Sequence, residues 1–253
     1  MSDSRHENYE LLNLIGYGLA KFDIDFVKEF GFKTKTSFYE YIVSLKIAET
    51  TSVVKNRQDL FDPFFDSGRK GWWQKGDAYI HRKILIDSLF GDLDFPQYAG
   101  MVKIYIQSKF GKIEKPETIS PVMKSRFKQL QITGQEAEIY FMHNYKNIEP
   151  FSNGTLDDAR LFGDGYDFQV QVTEKYFLAE VKGVRASSGS VRLTENEFAK
   201  ASEYKSDYGL IVVSNLSDLP KMTAVFNPIE NLALTKKVVS QSQTTYHSEF
   251  VSW

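Results

Sequence analysis

The sequence predicts an α/β protein, with a mainly helical N-terminal region followed by a mixed sheet flanked by helices. Three observations carry this expectation. Residues 7–48 space their apolar side chains at helical intervals. Tyr166–Val172 and Tyr176–Lys182 read as two strands joined by the short turn Thr173-Glu174-Lys175. Tyr208–Ser214, YGLIVVS, is a short and nearly all-apolar run, as a buried strand requires.

Taken in order, Glu7 to Phe22 places Tyr9, Leu12, Ile15 and Leu19 on one stripe of a first helix. Asp23 or Asp25 is a suitable cap for a second short helix, Phe26 to Phe30, which Gly31 stops. Ser37-Phe38-Tyr39-Glu40 has the form of a capping box and opens a third helix through about Lys46. These helices read equally as a helix-turn-helix-like DNA reader or as a plain helical subdomain. Asp62-Pro63 and Ser67-Gly68 break the pattern before an apolar helix around Ile80–Phe90. Residues 99–110 are helical by pattern, and Gly111–Pro121 is loop-like, with Lys112, Lys115 and Pro116. A domain boundary falls near 116–132, which gives a helical region over 1–125 and an α/β domain over 126–253.

In the second part, Thr133 caps a helix from Gly134 to Tyr145. A short first strand is expected at Asn147–Phe151. After the strand pair, Thr194 caps a helix from Glu195 to Tyr204. The order helix, strand pair, helix, strand is that of an α/β arrangement with a mixed sheet.

Composition excludes several classes of function. The chain has 253 residues and no cysteine, which rules out disulfides and thiolate metal sites. No apolar run reaches the roughly 18–20 residues that span a bilayer, and the polar start MSDSRHENYE lacks the apolar core of a signal peptide. A cytoplasmic protein without membrane contact is expected. The four histidines, His6, His81, His143 and His247, show no close pairing, so a histidine metal site is not expected. Gly163-Asp164-Gly165 lacks the lysine of a phosphate-binding loop, and no serine sits in a nucleophile elbow. No small-molecule cofactor is expected.

Charge is unevenly spread. Residues 69–128 hold 12 basic and 6 acidic side chains, a distribution that suits phosphate contacts as well as a solvated surface. Trp72 and Trp73, with Arg69, Lys70, Lys75, Arg82 and Lys83 nearby, mix rings with cations as nucleic-acid surfaces do. Lys124, Arg126 and Lys128 add three cations just before the α/β domain.

The chemistry centres on Asp167 and the triplet Glu180-Val181-Lys182. Phosphodiester hydrolysis needs a hard cation, an activated water and neutralisation of charge on the phosphate. Two carboxylates on adjacent strands suit Mg²⁺, which prefers oxygen ligands. Twelve residues separate Asp167 from Glu180, enough for two strands and a turn. Glu180 and Lys182 project from one face of their strand, while Val181 points the other way and offers its carbonyl as a third ligand. Gly165 and Gly183 leave room for a backbone to approach. On spacing alone, a plain cross-strand charge pair is the more ordinary reading.

The surrounding blocks add to this. Gly165-Tyr166-Asp167-Phe168, then Leu178-Ala179-Glu180-Val181-Lys182-Gly183, then Leu193-Thr194-Glu195-Asn196-Glu197-Phe198-Ala199-Lys200-Ala201, then Tyr208-Gly209-Leu210-Ile211-Val212 stand in order. Together they resemble the No Vein C-terminal-like family, which itself resembles the PD-(D/E)xK restriction-endonuclease-like superfamily. The resemblance covers residues 133–230; Tyr166 stands where the wider superfamily has proline. It implies a restriction-endonuclease-like sheet, Mg²⁺ held by Asp167 and Glu180, and a water assisted by Lys182. It further implies Glu138 as an additional carboxylate from the preceding helix, and Glu197 as the glutamate of the Thr-x-x-Glu block. The implied activity is Mg²⁺-dependent cleavage of double-stranded DNA by a restriction or other defence enzyme, acting as a homodimer with one site per strand. The alternative is a nucleic-acid-binding or protein-interaction module that keeps the fold without cutting.

Overall fold

A computed structural model describes residues 8–110, 120–130 and 132–238. His6, His247, Lys112, Lys115 and Pro116, named above, lie outside the described residues. The architecture is mixed α/β, with the helices of the N-terminal half preceding a five-stranded sheet.

The first helix, α1 (Tyr9–Glu29), buries Leu11, Leu14 and Tyr17 as well as the expected stripe of Tyr9, Leu12, Ile15 and Leu19. A helix apolar on all sides sits at the centre of a core, and α1 packs against α3 (Thr51–Phe61) and α5 (Phe95–Phe110). The two helices expected over 7–30 are present as two helical segments of α1, separated by a break at Asp23. Asp23, at φ 51°, makes that break, and its carboxylate pairs with Lys35 and Arg69. The next helix, α2 (Lys35–Ser44), is capped by Thr34, whose hydroxyl accepts from the Ser37 N–H at 3.2 Å. Ser37 itself is inside the helix, so the expected capping box at Ser37–Glu40 is corrected to Thr34.

Ile80–Phe90 forms α4 as expected, and α6 (Pro121–Leu130) packs on it. Phe127 and Leu130 on α6 belong to the large helical core. The next helix, α7 (Thr133–Asn144), touches both parts of the molecule. Ile139 joins the helical core, while Ala137 and Phe141 join the core beneath the sheet. Thr133 is the first residue of α7 and makes no side-chain cap.

The sheet runs in chain order, β1 (Thr155–Asp158), β2 (Phe168–Val172), β3 (Lys175–Gly183), β4 (Tyr208–Ser214) and β5 (Lys221–Phe226). The first three strands are antiparallel, β3 and β4 are parallel, and β4 and β5 are antiparallel. The first strand lies at Thr155–Asp158, not at Asn147–Phe151. The latter stretch holds two single turns of 3₁₀ helix around a proline, which has no N–H to give to a ladder. The parallel step from β3 to β4 needs a crossover, and α8 (Glu195–Tyr204) supplies it. A short helix, α9 (Pro228–Asn231), ends the described fold. Among the described residues no helix is long and apolar enough to cross a membrane.

Candidate active site

The strand β3 sorts its side chains by alternation. Phe177, Ala179 and Val181 face α7 in the core beneath the sheet. Leu178, Glu180 and Lys182 occupy the opposite face, where Leu178 packs with Ala201 of α8 and Tyr208 of β4. Burying a carboxylate here costs free energy unless it is paired. Glu180 is only 5% exposed, and its Oε1 lies 2.5 Å from the Lys182 ammonium. The same ammonium is 2.8 Å from Oε2 of Glu197. Lys182 thus bridges the strand to the first turn of α8.

Glu197 is held for this task by its own helix. Thr194 accepts from the Glu197 N–H at 3.3 Å, and the Glu197 carboxylate accepts from the Thr194 N–H at 3.1 Å. This reciprocal pair is the capping box expected from the sequence. The further ion pair to Lys182 is not visible in the sequence, because a cap signature does not say what else the carboxylate meets.

Asp167 stands one residue before β2. Its N–H donates to the Ala179 carbonyl at 3.0 Å, and its Oδ2 accepts the Val181 N–H at 2.8 Å. The carboxylate is therefore fixed against β3 by a main-chain donor. Two glycines set the neighbouring elements. Gly165, at φ +86°, lies so close to α8 that a Cβ there would stand 2.6 Å from the Asn196 carbonyl oxygen. A Cβ at Gly183 would stand 2.5 Å from the Thr133 carbonyl oxygen. Both glycines admit a backbone, as expected, but the backbones belong to α8 and α7. Tyr208 fastens the Gly165 loop by donating its hydroxyl to the Gly165 carbonyl at 2.9 Å.

The electrostatics follow from this crowding. Burial, chiefly, pushes the Asp167 carboxyl up to about 6, and the nearby charges of Glu138 and Glu197 add to the shift. Glu180 is raised above the ordinary carboxylate range, first by burial and then by the charge of Asp167; Lys182 opposes both. Lys182 is pushed up, because the bonds from Glu180 and Glu197 outweigh its burial. Two carboxyl groups raised by burial and by neighbouring carboxylates, beside a lysine that stays charged, form a site with unspent demand for positive charge.

Glu138 lies on α7 with its Oε2 2.7 Å from the Arg160 guanidinium. Arg160 also pairs with Asp158 at the end of β1. Glu138 therefore faces the Asp167 side, though an arginine now holds it. Sequence reasoning missed Arg160, which has no signature beyond being a cation after a strand. Two residues earlier on α7, Glu136 turns away from the site and is buried among Tyr9, His81 and Arg82.

The donor set suits a hard divalent cation. Asp167 immediately precedes β2 and Glu180 lies on the adjacent β3, and each keeps one oxygen, Oδ1 and Oε2, without a hydrogen-bond partner among the described residues. Asp167, Glu180 and the Val181 carbonyl are the groups able to hold Mg²⁺. Among the described residues no three histidine, aspartate or glutamate side chains gather as a metal-ligand cluster, so water and phosphate oxygens would have to complete the shell.

The expected nucleic-acid contacts divide. Lys70, Lys75, Lys124 and Lys128 are exposed, as is Trp73. Trp72 is half-buried against the helical core. Arg126 pairs with Asp92 at 3.3 Å, Lys83 with Asp87 at 2.5 Å, and Arg69 with Asp62 at 2.8 Å. Arg82 is corrected outright. It is 2% exposed and gives its guanidinium to the carbonyls of Leu216 and Asp218 at 2.7 and 2.5 Å, so no surface contact is open to it. His81 is buried against Glu136 and the Tyr140 ring, and His143 is exposed.

Residues 137–225 match the family model described as "Protein NO VEIN, C-terminal". The matched span runs from inside α7 into β5 and contains Glu138, Asp167, Glu180, Lys182 and Glu197. Searches of curated proteins and of solved structures each give no significant match.

Proposed function

We propose that this chain is a Mg²⁺-dependent endonuclease of the PD-(D/E)xK kind that hydrolyses phosphodiester bonds in duplex DNA. The observation that carries the reading is the placement of Asp167, immediately ahead of β2 and pinned to β3, beside Glu180 of β3, with Lys182 two residues beyond Glu180 on the same face. Glu138 and Arg160 stand beside Asp167 as an outer layer. The match of residues 137–225 supports the reading at the level of the domain.

Asp167, Glu180 and the Val181 carbonyl would hold the ion. When bound, Mg²⁺ supplies Lewis acidity toward a phosphoryl oxygen and lowers the pKa of a coordinated water. The protein's own residues do the rest. Lys182, kept charged by two glutamates, places a positive charge where negative charge develops on the phosphate and orients the attacking water. The α8 cap keeps Glu197 on Lys182 and so fixes the ammonium against the strand. The helical half, with exposed Lys70, Trp73, Lys75, Lys124 and Lys128, is the surface we assign to DNA. A cytoplasmic restriction or other defence role, and a homodimer with one site for each strand, complete the proposal.

A second reading has one observation in its favour. Lys182 already serves as internal counter-ion to Glu180 and Glu197, which a non-catalytic module retaining the fold would also need. A plasmid-nicking assay decides between them. Purified protein with Mg²⁺ should convert supercoiled plasmid to nicked and linear forms, EDTA should stop it, and Asp167→Asn should be inert. DNA binding without cutting, with Mg²⁺ or Mn²⁺, would establish the second reading.

A further inference from the structure

A cleft of about 500 Å³ lies between the two halves of the chain. Its walls include Asn8 ahead of α1, Asn56 and Arg57 on α3, Trp72 and Tyr79 before α4, and Asn215 after β4. None of Asp167, Glu180 and Lys182 lines it. Its volume falls within the range of small-ligand sites, roughly 300–1,000 Å³.

Charge is layered in this cleft. The two carboxylates on its wall, Glu49 and Asp218, are exposed. The cations lie deeper, with Arg57 half-buried and Arg82 buried. Arg82 is spent on main-chain carbonyls, as described. Arg57 is not: among the described residues it has no carboxylate at ion-pair distance. It donates to Asn13 Oδ1 at 3.1 Å and lies 5.3 Å from the centre of the Tyr9 ring. Burial, with the charge of Arg82 adding to it, lowers its pKa to about 10, against the opposing charges of Glu136 and Asp218. A half-buried guanidinium without a directly paired carboxylate carries a desolvation cost, and a bound anion relieves it. Two further lining residues carry buried polar atoms without hydrogen-bond partners, Ser217 Oγ and Arg82 Nε; the latter lies 3.7 Å from Glu136.

The rest of the lining suits a heteroaromatic ring. Trp72, only half-buried, packs at 6.0 Å on the buried ring of Tyr79. Asn8 and Asn215 give their amide N–H groups to the carbonyls of Lys46, Ile47 and Leu219. That leaves their amide oxygens as fixed acceptors. Asn56 is exposed on α3 and offers both a donor and an acceptor.

We infer that this cleft binds a single nucleotide, with the phosphate on Arg57, the base against Trp72, and the amides of Asn8, Asn56 and Asn215 meeting the base edge. The nucleotide is either free in solution or swung out of a DNA strand, and the chemistry of recognition is the same. The inference does not depend on cleavage at Asp167.

Binding is measured on the full chain in EDTA, by calorimetry and tryptophan fluorescence. The probes are the four deoxynucleoside 5′-monophosphates, inorganic phosphate, and a short duplex with one mismatched pair beside its matched control. Arg57→Gln removes the phosphate partner. Asn56→Trp fills the cleft from an exposed position and leaves the core untouched, so it decides the matter if Arg57→Gln does not fold. One-to-one binding of a mononucleotide, weakened at least about tenfold by either variant, supports the inference and identifies a free nucleotide. Preference for the mismatched duplex alone, lost in the same variants, supports it and identifies an extruded one. No binding of either kind at millimolar concentration overturns it, as does binding that both variants leave intact. Inorganic phosphate binding as tightly as any nucleotide also overturns it.

Discussion

Asp167 Oδ2 accepts the main-chain N–H of Val181 at 2.8 Å. The carboxylate ahead of β2 is thereby pinned to the strand that carries Glu180 and Lys182. An asparagine oxygen accepts the same bond, whereas alanine leaves the Val181 N–H without a partner. Near pH 4, where the Asp167 carboxyl is protonated, Asp167→Asn should therefore melt close to the wild type, and Asp167→Ala should lose about 1–3 kcal/mol. Both should cut plasmid at least about 100-fold more slowly. Nicking rates and denaturation curves on the same preparations test this. An Asn variant that cuts at the wild-type rate removes Asp167 from the site.

Lys182 neutralises Glu180 and Glu197 together. Lys182→Ala leaves two carboxylates facing each other without a cation, and both costs appear at once. Cleavage should fall by roughly 100- to 1,000-fold, and the variant should be less stable at pH 8 than at pH 5.5, where protonation relieves the repulsion. The double variant Lys182→Ala/Glu180→Gln should recover stability but not cleavage. If stability is recovered by neither pH nor the second substitution, the bridge is not the source of the loss.

The raised Asp167 pKa, about 6, has a definite sign in stability. A carboxyl whose pKa rises on folding takes up protons as it folds. Its contribution is present below the ordinary carboxylate range, near pH 4, and is lost as pH rises through about 6. Other groups titrate in the same window, so the useful quantity is the difference between Asp167→Asn and the wild type, measured in EDTA. The variant should gain on the wild type by on the order of 1–3 kcal/mol between pH 4 and pH 7. A difference that stays constant with pH would show that Asp167 titrates as an ordinary surface carboxyl.

Glu136 is 3% exposed and is the common partner of Tyr9, His81 and Arg82, at 2.5, 3.3 and 3.7 Å. These residues come from α1, α4 and α7, so the carboxylate ties the helical half to the sheet half. Removing one partner of a buried charged group costs more than the pair contributes. Glu136→Ala should destabilise the chain by about 3–5 kcal/mol, and Glu136→Gln should cost less because it keeps an acceptor for the Tyr9 hydroxyl. Urea denaturation measures both. Equal losses in the two variants would place the effect in shape and not in charge.

Local signals in the sequence were enough for the middle of the sheet and its crossover helix. Glu195–Tyr204 and Tyr208–Ser214 have the expected ends, because a capping box and a β-branched apolar run each carry their own boundary. The convergence of Glu180 and Lys182 on one face follows from strand alternation alone. Longer-range features were not legible. The helix over Thr51–Phe61, with polar residues on most of its surface, shows weak periodicity and was missed, as were Pro121–Leu130 and the edge strand Lys221–Phe226. The burial of Arg82 was hidden for a related reason. Nothing in a stretch of mixed rings and cations says which guanidinium will meet the main chain of β4's outgoing loop, 134 residues away. Glu197 on Lys182 and Arg160 on Glu138 are likewise contacts between elements, fixed by packing and not by spacing.

Gly165 joins the loop ahead of Asp167 to the start of α8. Its φ of +86° is a conformation that side chains with a Cβ rarely adopt, and a Cβ there would stand 2.6 Å from the Asn196 carbonyl oxygen. Gly165→Ala thus meets two obstacles, a strained backbone and a main-chain clash that no side-chain rotation relieves. The loop is also held by the Tyr208 hydroxyl on the Gly165 carbonyl, so relief must come from moving the α8 N-terminus. That movement carries Thr194 and Glu197 with it and separates Glu197 from Lys182. The expected result is a loss of about 1–3 kcal/mol in stability together with a fall in cleavage of at least about tenfold, although no group that touches DNA has changed. Thr194→Ala separates the two effects. It deletes the cap at a cost of about 1 kcal/mol while leaving Gly165 in place, and it should lower cleavage less. If Gly165→Ala loses stability but cuts at the wild-type rate, the α8 N-terminus does not position Lys182.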